Sequence, residues 1–202
     1  MWRPISVRSA AAAAVSGSSE GGALGLSGAG ASSVNKVNMI VEALIDGANS
    51  STNTIRAANF ALTADDTSLI KAVTVGASVA ADYSDSGSAA ISIGVSLAQN
   101  EIDNQVEALI ENAPQIVSQG TTQLSAEEQS GIHTVAVAAS VAAGLSQESG
   151  LAVSGAGASA INIILTHTNA QIDNSTVSSQ RNVDLVANAS SAVPAANLSV
   201  PS

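Results

Sequence analysis

Aliphatic residues alternate with small or polar residues over long stretches of this chain. In segment 91–98, ISIGVSLA, every odd position holds Ile, Val or Leu, and every even position holds Ser, Gly or Ala. Segment 134–141, TVAVAASV, keeps nearly the same period of two. Successive side chains of a β-strand point to opposite faces, so this period predicts strands with two unlike faces. The EALI segments and abundant alanine favour helix, but alternation and glycine density outweigh them, and the sequence predicts an all-β chain.

Short polar segments separate the alternating stretches and predict turns. GSSEGG (17–22), DYSDSGS (82–88) and SQESG (146–150) each follow one strand-like stretch and precede a longer one. Asp, Ser and Gly are typical turn residues, and the acidic segment ADDTS (64–68) is interpreted as a turn for the same reason. A short third segment, such as NFALTA (59–64), completes each unit.

The chain repeats the same unit three times. SGAGAS occurs at 27–32 and again at 154–159, in the first and third units. VEALIDGA (41–48) returns as VEALIENA (106–113), in the first and second units. The second and third units align at a slightly shorter spacing. This spacing and the one between the first and second units add up to the spacing between the first and third units. Internal repetition at a fixed period is the signature of stacked repeat architectures.

These spacings divide a single repeat domain, residues 1–193, into units at 5–67, 68–130 and 131–193. The last residues, 194–202, contain two prolines and are predicted to form a linker or a frayed end. One domain followed by a short tail is therefore the expected organisation.

The N-terminal residues have the arginine, serine and alanine content of a targeting peptide. Alignment at the spacing of the two SGAGAS segments gives a better explanation, because segment 6–17 then lies without a gap on segment 133–144. The N-terminal segment is therefore predicted to be a strand of the first repeat, with Ser6 at the position of His133.

Repeats of this kind can bury a face only by stacking on one another. The predicted fold is therefore a parallel β-solenoid built from three repeats of 62–65 residues. The small residues on one face of each strand would let a second sheet lie close. One unit corresponds to one, two or three coils, and stacked antiparallel hairpins are the alternative fold because the turns between the first two strands are short.

Amino-acid composition restricts which folds and which binding partners are compatible with the chain. Hydrophobic residues make up 46% of the chain, yet it has one Trp, one Tyr and one Phe, which favours a thin, regular structure. Acidic residues outnumber basic ones by 16 to 6, which argues against nucleic-acid partners. The absence of Cys excludes disulfides and thiolate sites. Segment 149–172 is uncharged but broken by polar residues, so no membrane insertion is predicted.

The repeat sequence itself resembles a known family. Residues 66–113 contain GASVAA, SIGVSLA and VEALI in a fixed order, and residues 139–177 carry a version of the same pattern. This pattern resembles the repeats of very large filamentous-haemagglutinin-like and leukotoxin-like adhesins of Gram-negative bacteria. The resemblance extends from Ser6 to about Val193. It implies a secreted or cell-surface β-solenoid stalk without a catalytic site, which holds an adhesive tip towards a host or matrix surface.

Paired carboxylates are the first candidate site. Glu42 and Asp46 in the first unit correspond to Glu107 and Glu111 in the second, and Asp173 continues the second position in the third unit. Residues four apart lie on one face of a strand. We interpret them as solvated residues at strand ends, with a row of Ca²⁺ ligands as the alternative. The Gly- and Asp-rich nonapeptide of Ca²⁺-binding β-rolls is not present, and no cofactor is predicted.

Asparagine and histidine supply the remaining candidates. Asn35, Asn100 and Asn162 fall at the same position of the three units and predict a ladder of stacked side-chain amides with a structural role. His133 and His167 are the two histidines of the chain. They lack partners at the spacing of metal ligands, so neither a catalytic nor a zinc site is expected.

These observations favour a non-enzymatic structural or adhesive stalk segment. Its end strands would expose unpaired backbone, so we expect self-association end to end or continuation into neighbouring repeats. The alternative is a β-helix enzyme acting on carbohydrate, or a carbohydrate-binding solenoid. Such proteins gather bases, carboxylates and aromatic rings in a groove, and the six basic and three aromatic residues of this chain argue against them.

Overall fold

The structure is a computed structural model that describes residues 5–18, 21–47 and 54–201. Nearly all of these residues lie in β-strands, and none of them lies in a helix. A search of these residues for helices of the length and hydropathy of a membrane span finds none. The all-β prediction is therefore confirmed.

Two long strands and one short strand recur along the chain. In order, the strands are β1 (Ile5–Ser18), β2 (Ala23–Asp46), β3 (Thr54–Ala57), β4 (Phe60–Ser84), β5 (Ser88–Glu111), β6 (Gln115–Ser118), β7 (Thr122–Ser146), β8 (Gly150–Asp173), β9 (Val177–Ser179), β10 (Val183–Ala192) and β11 (Ala195–Pro201). The complete long strands have 24 or 25 residues, well above the usual strand length.

The strands form three parallel sheets. The β4 sheet has the order β1-β4-β7-β10, with β11 also paired to β7; the β5 sheet has the order β2-β5-β8; and the β6 sheet has the order β3-β6-β9. From β1 to β10, strands that follow one another in the chain lie in different sheets, and every pairing is parallel. The parallel solenoid is confirmed, and antiparallel hairpins were the wrong alternative. Each repeat forms one coil.

The register between coils follows the sequence repeat. In the β5 sheet Ser92 pairs with Ser27 on one side and Ser154 on the other, which aligns the two SGAGAS segments. Ile110 pairs in the same way with Ile45 and Ile172. Identical side chains therefore stack directly above one another along the solenoid.

The ungapped alignment of the N-terminal strand was wrong by one residue. Ser6 pairs with Ala72, which pairs with Thr134 rather than His133. The cause is the turn before β2, which has four residues between Ser18 and Ala23, whereas the turn before β5 has three. A one-residue shift moves every side chain to the other face, so turn length decides which residues of β1 face inward.

Two other segments also differ from expectation. Residues 194–202, predicted as a linker or frayed end, contain β11, which pairs with Thr134–Ser140 of β7. The short third segment, from Phe60 onward, and the predicted turn at 64–68 are parts of one continuous strand, β4. Pairing along the whole length of β7 holds both acidic residues of that supposed turn in strand conformation.

The β4 and β5 sheets pack face to face through their small residues. In the half of the coil near the β4–β5 turn, hydroxyl groups bridge the sheets, with 2.8 Å between Ser78 Oγ and Ser92 Oγ. A Cβ added at Gly94 would lie 2.5 Å from the carbonyl oxygen of Ala139, so the backbones approach too closely for any side chain there. The large aliphatics of the same strands point outward, and Ile93 is 53% exposed.

The sheets diverge towards the β6 sheet, and larger aliphatics fill the space. Ile70, Ile102 and Ile132 form one fully buried group, and a second, larger group lies beside β6, where Ile116 and Leu124 are also fully buried. Complete burial of one such side chain adds about 2 kcal/mol to the free energy of unfolding. The interior therefore changes along each coil from small residues to branched aliphatic ones.

Candidate functional site

The asparagines predicted to stack form a chain of hydrogen bonds through the interior. Asn35, Asn100 and Asn162 are partners in the register of the β5 sheet. Asn35 Nδ2 donates to Asn100 Oδ1 at 2.7 Å, and Asn100 Nδ2 donates to Asn162 Oδ1 at 2.8 Å. Asn100 is fully buried. All donors point in one direction along the solenoid, so each amide satisfies the next.

The opposite sheet closes this ladder. Thr134 of β7 donates its hydroxyl to Asn162 Oδ1 at 2.8 Å and accepts from Asn100 Nδ2 at 2.8 Å. The ladder thereby joins three coils and both long sheets. Buried amides without partners cost about 1–3 kcal/mol each, so this network favours one register of the coils over a shifted one.

Two buried carboxylates lie one coil apart, at a place that the sequence reasoning missed. Asp66 of β4 pairs in register with Glu128 of β7, and both side chains face the interior. Asp66 Oδ2 accepts from Asn104 Nδ2 at 2.7 Å and from Ser68 Oγ at 2.9 Å. The sequence does carry a signal, because ADDTS (64–68) and AEEQS (126–130) are separated by the spacing of the repeat.

Glu128 is the less well satisfied of the two acids. The Ser130 hydroxyl donates to its Oε1, and its Oε2 has no hydrogen-bond partner among the residues described. Burial raises the pKa of Glu128, and the charge of Asp66 adds to the increase. Hydrogen bonding from Ser130 and, more weakly, from Thr166 opposes it. Glu128 therefore binds a proton more readily than an exposed glutamate does.

The carboxylates singled out in the sequence lie along the ends of the β5-sheet strands. Asp46, Glu111 and Asp173 follow one another in register, as do Glu42 and Glu107. Glu107 Oε1 lies 3.7 Å from His167 Nε2, and the Asp46 carboxylate accepts from an asparagine amide. Within the described part of the chain, no three Asp, Glu, His or Cys side chains are grouped as metal ligands.

The two histidines lie on the exposed faces of different sheets. His133 lies next to Lys71 on the exposed face of the β4 sheet. His167 belongs to β8 in the other long sheet and pairs in register with Gln105. The fold therefore does not bring them together.

Comparisons of the chain with protein-family models, with curated proteins and with solved structures give no match.

Proposed function

We propose that this chain is a non-enzymatic stalk segment of a secreted or cell-surface bacterial repeat protein. The observation that carries the proposal is the continuous register of long parallel strands from coil to coil. Backbone hydrogen bonds along strands of 24 residues resist both bending and separation of the coils. Each added coil lengthens such a solenoid by about 4.8 Å, so repetition supplies reach.

The interior supports the same proposal. Its ladder of asparagines and its stack of isoleucines repeat at the spacing of the coils. These side chains contact one another, and their contacts fix the register of the coils. The role of such an interior is mechanical.

The outer faces supply the adhesive part of the proposal. Aliphatic side chains such as Leu97 and Val153 are about half exposed on the β5 sheet, and Val141 is similarly exposed on the β4 sheet. Exposed apolar surface of this extent is typical of faces that meet another surface. A host or matrix surface, or a neighbouring part of the same protein, is the partner that we propose for these faces.

Tandem fusions test the stalk. Eight and sixteen copies of residues 5–193, joined at the repeat spacing, should appear in electron micrographs as straight bodies of constant width. Each copy carries Arg8→Asn, because Arg8 pairs with the fully buried Thr74 and its charge would be enclosed where β1 continues β10 of the preceding copy. Each copy contributes three coils of about 4.8 Å, so the fusion of sixteen copies should be longer than the fusion of eight by roughly 115 Å. The control carries a flexible Gly/Ser linker of about twenty residues between copies and should give a beaded, bent chain. Beads in the direct fusions as well would contradict the proposal.

A further inference from the structure

The C-terminal end of the solenoid is half a coil. β10 and β11 add a fourth strand to the β4 sheet, whereas the β5 sheet ends at its third strand, β8. Leu185 of β10 corresponds by register to Leu62 and Leu124, which are buried, yet Leu185 is 45% exposed. Ser191 likewise corresponds to the buried Ser130. An interior face is thus built at this end, and no strand among the described residues covers it.

The asparagine ladder shows which strand the end can accept. The side chain of Asn162 is the last of the ladder, and its buried Nδ2 has no partner among the described residues. By the direction of the ladder, the next coil must offer an amide oxygen at this point. β2 has the 24 residues of β8 and carries Asn35 at the matching position.

The N-terminal end has the complementary gap. β1 pairs only with Lys71–Ser84 of β4, so the edge of β4 from Phe60 to Ile70 is open within the described structure. A cavity of about 380 Å³ lined by residues 36–39 lies beside this gap. By register, β10 corresponds to residues 60–69 of β4. Val193, the next residue, falls at the position of Ile70. β10, at the C-terminal end, is therefore a strand that fits the open edge of β4 at the N-terminal end.

β1 and β11 would compete for the rest of that strand. β11 corresponds to residues 72–78 of β4, which pair with β1. Arg8 of β1 pairs with Thr74, whose side chain is fully buried, so a covering coil would enclose the Arg8 charge among small residues. β11 places the neutral Asn197 at the same position. Burial of an unpaired charge is strongly unfavourable, so β1 is the strand that gives way.

We propose that a second copy of this chain docks on the C-terminal end, with its β2 laid in parallel on β8. Asn35 of the second copy then continues the ladder from Asn162, and Ser32 of the second copy lies beside Ser159. The second copy's β4 pairs with β10 and β11 of the first, and its own β1 is displaced. This inference rests on the proposed stalk function and specifies the partner and the register of its ends.

Cysteine cross-linking tests the register in a chain that has no native Cys. Ser32 and Ser159 both pair with the outward-facing Leu97 within one molecule, and in the docked pair they occupy adjacent strands. Their Cα atoms would be about 4.8 Å apart, within the range of a disulfide. Mixing the variants S32C and S159C under mild oxidation should give a disulfide-linked dimer at least tenfold above either variant alone.

An off-register pair is the matched control. L165C also lies on the outer face of β8, six residues beyond Ser159, or about 20 Å. Mixed with S32C, it should form little dimer. Equal cross-linking by S159C and L165C, or no dimer with either, would overturn the proposed docking.

A charge placed on β11 tests whether β11, rather than β1, forms the junction between the two copies. N197K places a cation on the interior side of β11, because Asn197 pairs with the buried Ala136, whereas L198K places it on the outer side. N197K should reduce the S32C–S159C dimer by at least tenfold, and L198K should leave it unchanged. Equal yields would show that β11 is not part of the junction and would overturn that part of the proposal. The covalent tandem fusions lengthen independently of this docking, so their result is judged separately.

Discussion

At the scale of single residues, the interior polar groups decide how the coils are aligned. Asn100 is the central member of the ladder and contacts Asn35, Asn162 and Thr134. A leucine, which has the same side-chain branching, would occupy the site but leave buried amide and hydroxyl groups unpaired.

The variant Asn100→Leu is therefore expected to lower the free energy of unfolding by about 3 kcal/mol, measured by chemical denaturation. Asn38→Leu is the control, because Asn38 lies on the exposed face of a β5-sheet strand and hydrogen-bonds Asp103 at the surface. The control should change the free energy of unfolding by less than about 0.5 kcal/mol. Equal losses for the two variants would mean that the ladder contributes nothing specific.

Glu128 makes stability depend on pH. Its pKa is raised in the folded protein, so the folded state binds more protons than the unfolded state once the pH exceeds the ordinary value of 4.5. The contribution of Glu128 is fully present below that pH, and it is lost as the pH rises through the folded-state pKa. The free energy of unfolding should therefore fall across this window.

The variant Glu128→Gln removes the titration. Relative to the parent chain, it should gain stability as the pH rises above the ordinary carboxyl value of 4.5, measured by denaturation at each pH. Glu127→Gln is the matched control, since Glu127 is the exposed neighbour on the same strand. If both variants follow the pH profile of the parent, the buried carboxylate does not titrate in this range.

At the scale of elements, the close approach of the two long sheets depends on residues without side chains. Gly94 lies where a Cβ would meet the backbone of Ala139 in the opposite sheet. Gly94→Ala must push the sheets apart and should cost about 1–3 kcal/mol of unfolding free energy. Gly155→Ala, on the outer face of β8 with no atom within 4 Å of the added Cβ, should be neutral or slightly stabilising. Equal effects would place the sheets further apart than described.

Sequence reasoning succeeded for elements where the period of two was long and unbroken, as in β5 and β7. It failed where local chemistry and tertiary pairing conflict. ADDTS (64–68) has the residues of a turn, yet its pairing with β7 holds it as a strand. The one-residue difference in the turn before β2 likewise shifted β1 against the ungapped alignment. Both errors arise because pairing between coils, which are distant in sequence, overrides local preference.

At the scale of the whole molecule, the coils stack with equivalent positions above one another, and the strands that the structure describes leave open edges at both ends of the stack. Open edges pair readily with further strands. The proposed docking uses this property in a defined register, because β10 and β11 of one copy complete the coil that β1 fills only in part. If β1 stayed in place, docking would bury the charge of Arg8, so β1 is the strand that is displaced.

The sequence by itself determined the strands, the three repeats and the positions that stack, because a period of two and a fixed repeat spacing are properties of the chain alone. The amide ladder follows from the same spacing, since Asn35, Asn100 and Asn162 need only be aligned to meet. Only the tertiary structure decided that one repeat makes one coil and that Asp66 and Glu128 share the interior. Those features depend on how closely two sheets approach, and that distance is set by all the side chains between them together.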